Sequence, residues 1–126
     1  MTLKILTPTA PNELYEKFFL KFNEIENLKP NEWKVPQIIG YFVKKYNETY
    51  NSIFKFKFNT PQPSKCFEMF QIKKLSSLLT SDSSLLKEYI DWIFENKILK
   101  TKRRITSISF LTKEEFMNEY KLNVLM

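Results

Sequence analysis

The sequence predicts a mainly α fold with a small β component, in a single domain of 126 residues. Three observations predict it. Apolar residues recur at helical spacing over 64–79 and again from Ser83. Residues 53–58, Ile-Phe-Lys-Phe-Lys-Phe, alternate with period two, the pattern of a half-buried strand. Residues 97–110 set a charged middle, Thr101-Lys102-Arg103-Arg104, between outer segments that carry β-branched and aromatic residues, which predicts a short hairpin with a basic tip.

Taken in order, residues 1–11 read as an extended arm, with Pro8 and Pro11 around Thr9-Ala10. Asn12 caps a helix over 12–29 in which Leu14, Phe18, Phe22 and Ile25 share a stripe widened by Tyr15 and Phe19, and Pro30 ends it. Leu20 falls outside the stripe. A link carrying Trp33 leads to Pro36, a residue favoured in a first helical turn. The next helix places Ile38, Ile39, Phe42, Val43, Tyr46 and Tyr50 within one arc. Gly40 lies on the far face, where it costs about 1 kcal/mol relative to Ala. In the strand that follows, Phe54, Phe56 and Phe58 face the core, with Lys55 and Lys57 opposite.

Ser64, after Pro63, caps a helix to about Leu79 with Phe67, Phe70, Leu75, Leu78 and Leu79 on one arc. Thr80-Ser81-Asp82-Ser83-Ser84 is dense in side chains that compete with helical backbone bonds, so it reads as a turn and a new start at Asp82 or Ser83. The second helix buries Leu85, Leu86, Tyr89, Ile90 and Ile93 and turns Glu88, Asp91 and Glu95 outward. After the hairpin, Thr112-Lys113-Glu114-Glu115 has capping-box spacing and starts a last helix carrying Phe116, Met117 and Tyr120. Residues 122–126 read as a docked apolar end.

Composition narrows the function classes. Without histidine there is no imidazole base and no Ser-His-Asp triad, and a single Gly excludes a phosphate-cradling loop or a dinucleotide fingerprint. A lone Cys66 excludes an intramolecular disulfide and a cysteine-rich zinc site. It reads as a small, partly buried residue. Glu88, Asp91 and Glu95 have a spacing that would also suit Mg²⁺, but carboxylates opposite an apolar stripe are ordinarily the wet side of a helix. The expectation is a non-enzyme without metal or cofactor. No apolar run has the length of a membrane span, so no membrane partner is expected and a cytoplasmic location is. Abundant Lys, Asn, Ile and Phe beside single Ala and Gly residues fit an AT-rich genome, such as that of a phage or low-GC bacterium.

The net charge is +6, and it is uneven. Residues 1–33 carry 4 Lys against 5 Glu; residues 34–126 carry 16 basic against 9 acidic side chains. A basic surface favours phosphate backbones or acidic partners.

The element order over residues 36–111, the helix pair KKLSSLL and SLLKEYIDWIF, and the basic tip KTKRR together resemble a winged-helix DNA-binding domain. The run LLKEYIDWIFENK followed by ITSISFLTKEEFMNEY is similar to the helical replication-initiation and helicase-loading accessory proteins of phages and low-GC bacteria. Both resemblances imply a role in DNA replication, recombination or transcription. In the winged-helix family the second helix of the pair enters the major groove, yet here it offers Glu88, Asp91 and Glu95, which repel phosphates. DNA contact, single- or double-stranded, is therefore expected from Lys97, Lys100, Lys102, Arg103 and Arg104 in the wing, mostly to the backbone. Lys55, Lys57, Lys73 and Lys74 join them if they share one face. The alternative is a protein-interaction module, an adaptor or inhibitor of a host, replisome or transcription enzyme, working through Glu88, Asp91, Glu95 and Tyr41.

Overall fold

The computed structural model describes residues 28–55 and 67–125, which form four α-helices: α1 (Val35–Tyr50), α2 (Phe67–Leu78), α3 (Ser83–Ile93) and α4 (Glu114–Tyr120). Short 3-10 turns lie at Pro30–Glu32 and Ile108–Thr112, and α3 and α4 each run on into a wider π turn, at Phe94–Leu99 and Lys121–Leu125. Among the described residues there is no strand. The expected arm, the stripe from Leu14 to Ile25, the cap at Ser64, Cys66, and Lys57 with Phe56 and Phe58 lie outside the described residues.

Local chemistry accounts for the helix ends. Lys34 is extended before α1 and its N–H donates to Gln37 Oε1 at 2.9 Å, with Pro36 in the first turn. α1 stops where Asn51 turns left-handed, at φ 51°, a conformation Asn tolerates better than most residues. Asp82 caps α3, its Oδ1 accepting from the Ser84 N–H at 2.9 Å and the Ser84 hydroxyl at 2.7 Å. Those two bonds to Ser84 hold the Asp82 carboxyl below its ordinary pKa.

α1 and α3 bury most of the faces expected of them, Ile38, Ile39, Phe42, Val43 and Tyr46 from α1 and Leu86, Tyr89, Ile90 and Ile93 from α3, with Tyr50 and Leu85 only partly buried. Gly40 is buried too, so its place on α1 is a packed one. Two ring clusters fill the core. Phe42 meets Phe94 at 5.7 Å and Phe54 at 5.3 Å, and Phe54 meets Tyr46 at 5.0 Å. Tyr120 meets Tyr89 at 5.0 Å and Trp92 at 5.2 Å. The Tyr89 hydroxyl donates to the Leu111 carbonyl at 2.8 Å inside this core and ties α3 to the 3-10 turn.

The winged-helix expectation is overturned, because the hairpin is absent. Ile98 continues the helical stripe of Ile90 and Phe94 at spacings of four, and burying it keeps the chain helical beyond Asn96. The helix then closes by a Schellman turn: the Lys102 N–H donates to Leu99 O at 3.2 Å and the Arg103 N–H to Ile98 O at 2.9 Å, with Lys102 left-handed at φ 57°. Residues 103–107 belong to no helix or strand, and Ser107 is extended.

The expected strand after α1 is likewise unpaired over residues 53–55. Phe54 is buried and Lys55 exposed as alternation requires, but the Phe54 N–H donates to the Asn47 side chain at 2.8 Å instead of to a neighbouring strand. Period two here reports burial, not pairing.

Three smaller expectations also change. α2 buries Met69, Ile72 and Leu75 together with Glu68, and leaves Phe70 and Leu78 exposed. Thr112 does not cap α4: its hydroxyl is held by Gln71 Oε1 at 2.8 Å and Ser109 O at 3.0 Å, and Lys113 is the cap residue, without a side-chain cap bond. Leu122 and Val124 are exposed instead of docked.

Candidate nucleic-acid interface

Tyr50, on the last turn of α1, organises the segment after the Schellman turn. Its hydroxyl donates to Arg103 O at 3.2 Å and accepts from the Ile105 N–H at 3.1 Å, so one side chain fixes two backbone groups on either side of Arg104. The Tyr50 ring packs on Tyr46 at 4.7 Å and carries the Arg104 guanidinium 4.7 Å from its centre. Arg104 also donates to the Ser52 hydroxyl at 3.5 Å. Buried Ile105 and Ile108 anchor the run, and Ser107 caps the 3-10 turn, its Oγ accepting from the Ser109 N–H at 3.1 Å.

That turn brings Phe110 back beneath two further cations. The Arg103 guanidinium lies 5.4 Å and the Lys113 ammonium 5.8 Å from the centre of its ring, and Phe116 packs on it at 5.0 Å. The result is an open groove of about 280 Å³ bounded by Arg103, Arg104, Lys113, Phe110, Ile105 and the hydroxyls of Thr106, Ser107 and Ser109. No carboxylate lines it. Among the described residues none of the three cations is in an ion pair.

Three partly buried lysines, Lys45, Lys87 and Lys97, differ. Lys97 pairs with Glu119 at 2.7 Å and lies over Trp92 and Phe116, so the structure places it in a bridge between the end of α3 and α4, away from the groove. Lys45 and Lys87 each reach Asp91 at 3.0 Å, and the Tyr41 hydroxyl donates to the same carboxylate. Burial pushes the Asp91 carboxyl up, but the hydrogen bonds from Tyr41, Lys87 and Lys45 outweigh it and leave the pKa below the ordinary value. Burial, with Asp91 beside it, holds the Tyr41 hydroxyl well above the ordinary tyrosine value. Tyr41 and Asp91 thus meet each other, as a clasp between α1 and α3, whereas Glu88 and Glu95 stay exposed.

Of the remaining basic positions, Lys100 and Lys102 are exposed on the turn that leads into the groove, Lys100 donating to Asn96 Oδ1 at 3.4 Å. Lys55, Lys73 and Lys74 are exposed but do not line the groove. Lys113, Tyr50 and Phe110 are the site residues the sequence did not single out. Lys113 was hidden within an apparent capping box, and only the 3-10 turn carries it back towards Arg103. Among the described residues no group of three or more His, Cys, Asp or Glu side chains could hold a metal ion, and no helix is long and apolar enough to cross a membrane.

Compared with family models, curated proteins and solved structures, the chain matches none.

Proposed function

We propose that this chain is a non-catalytic nucleic-acid-binding accessory protein of DNA replication, recombination or transcription that holds phosphates in the groove of Arg103, Arg104 and Lys113. The observation that carries the reading is a contrast in charge pairing. Lys45 and Lys87 share the Asp91 carboxylate and Lys97 pairs with Glu119, while the three groove cations converge without a carboxylate. Cations kept unpaired around a concave surface with three hydroxyls suit an anionic ligand, and a phosphate backbone supplies repeated negative charge at that scale. The exposed Lys100 and Lys102 extend the positive surface along the chain. Contacts of this kind fix the backbone and carry little base information.

Fluorescence anisotropy of a labelled oligonucleotide tests the reading. Changing Arg103, Arg104 and Lys113 together to Gln should weaken binding at least tenfold at about 50 mM salt, with the far-ultraviolet circular dichroism of the variant unchanged. Binding indifferent to the three substitutions would remove the groove from the function. A second reading, a protein-interaction module, is favoured by the exposed apolar side chains Phe70, Leu78, Leu99 and Leu122. Absence of oligonucleotide binding at low salt would leave that reading standing.

A further inference from the structure

The three groove cations are exposed, but they are not held alike. Arg103 and Lys113 share one ring, at 5.4 and 5.8 Å from the centre of Phe110, and among the described residues neither side chain donates a hydrogen bond. Arg104 is held in three ways. Its guanidinium lies 4.7 Å from the centre of the Tyr50 ring, and its Nη2 donates to the Ser52 hydroxyl at 3.5 Å. Its backbone is pinned on both sides, because the Tyr50 hydroxyl accepts from the Ile105 N–H at 3.1 Å and donates to Arg103 O at 3.2 Å. Tyr50 ends α1 and Ser52 follows the left-handed Asn51, so all three holds come from one turn.

A side chain held before its ligand arrives has less freedom left to lose on binding. A long cation that is free in solution must give up rotamer entropy to grip a phosphate, and one already fixed along its backbone and at its head gives up less. The hold on Arg104 still leaves it able to grip. Ser52 takes a single N–H of a guanidinium that has several, and the side chain remains open to solvent. We infer that Arg104 is the principal phosphate contact of the groove and that Tyr50 is its positioning residue. This rests on the nucleic-acid reading above and ranks the residues within it.

The test is a double-mutant cycle read by anisotropy, with a labelled oligothymidine of about 12 nucleotides at about 50 mM salt. Arg104→Gln should weaken binding about tenfold, and Arg103→Gln or Lys113→Gln about threefold each. Tyr50→Phe keeps the ring and removes the hydroxyl. It should weaken binding about threefold in the wild-type chain and less than about 1.5-fold once Arg104 is Gln. Its effect on the urea midpoint should be the same in both backgrounds, since both hydroxyl bonds go to the backbone, so a merely structural role would not show the dependence on Arg104. Equal losses from the three Gln substitutions, or a Tyr50→Phe loss of the same size in both backgrounds, would overturn the inference and leave the nucleic-acid reading intact. No binding by the wild-type chain would overturn both.

Discussion

Lys102 adopts a left-handed backbone at φ 57° that costs a residue with a Cβ roughly 1 kcal/mol, and the Schellman turn requires it. Lys102→Gly should therefore raise the unfolding free energy by about 0.5–1 kcal/mol in urea titration, while Lys102→Val should lower it. Tyr50→Phe removes the hydroxyl that joins Arg103 O and the Ile105 N–H, and should cost about 1–2 kcal/mol and weaken oligonucleotide binding as Arg103 and Arg104 lose their anchor. Asp91 adds a pH dependence. Its pKa is depressed in the fold, so its stabilisation is present above the unfolded carboxylate value of about 3.9 and is lost as pH falls through the folded one. The stability gap between wild type and Asp91→Asn should thus be constant above about pH 5 and shrink below about pH 4. None of these roles was legible in the sequence. Tyr50 was visible as an apolar-arc residue and Asp91 as a wet-face carboxylate, because composition and period register neither a hydroxyl between two backbone groups nor a carboxylate shared by side chains from two helices.

At the scale of elements, α3 was the most legible. Its cap at Asp82 and its stripe of Leu86, Tyr89, Ile90 and Ile93 are written locally, and local signals suffice for a strongly amphipathic helix. The segment after it was misread because Ile98 supports two readings at once: it is the β-branched residue of Lys97-Ile98-Leu99-Lys100 before the basic run, and it also falls eight residues after Ile90. Packing decides between them, since Ile98 is 1 % exposed in the core. Ile98→Ala should cost about 2–4 kcal/mol by leaving a cavity where a hairpin residue on a solvated edge would cost far less. Tyr89→Phe should cost about 1–3 kcal/mol by leaving the buried Leu111 carbonyl without its donor. Both changes can be read from urea midpoints. α2 shows the opposite failure, with Phe70 on the predicted arc but 58 % exposed, because the faces it must cover belong to α1 and the 3-10 turn, and these are remote in sequence.

For the whole molecule, the described residues form a helical assembly in which a clasp at Asp91 joins α1 to α3, a bridge at Lys97 joins the end of α3 to α4, and a groove opens where the end of α1 meets the segment 103–113. The basic stretch was legible as a surface feature, and its two arginines do stand in the groove. The shape around them was not, since it depends on a 3-10 turn returning Lys113 from ten residues downstream of Arg103. The most direct measurement is the salt dependence of single-stranded oligonucleotide binding, by anisotropy between about 50 and 200 mM salt, for wild type and the triple Gln variant. Three phosphate contacts predict a log-log slope of about −2, a loss of roughly 20-fold across that range, and a variant slope shallower by about 2. A wild-type slope near zero, or the same slope in both proteins, would contradict a phosphate-holding groove at Arg103, Arg104 and Lys113.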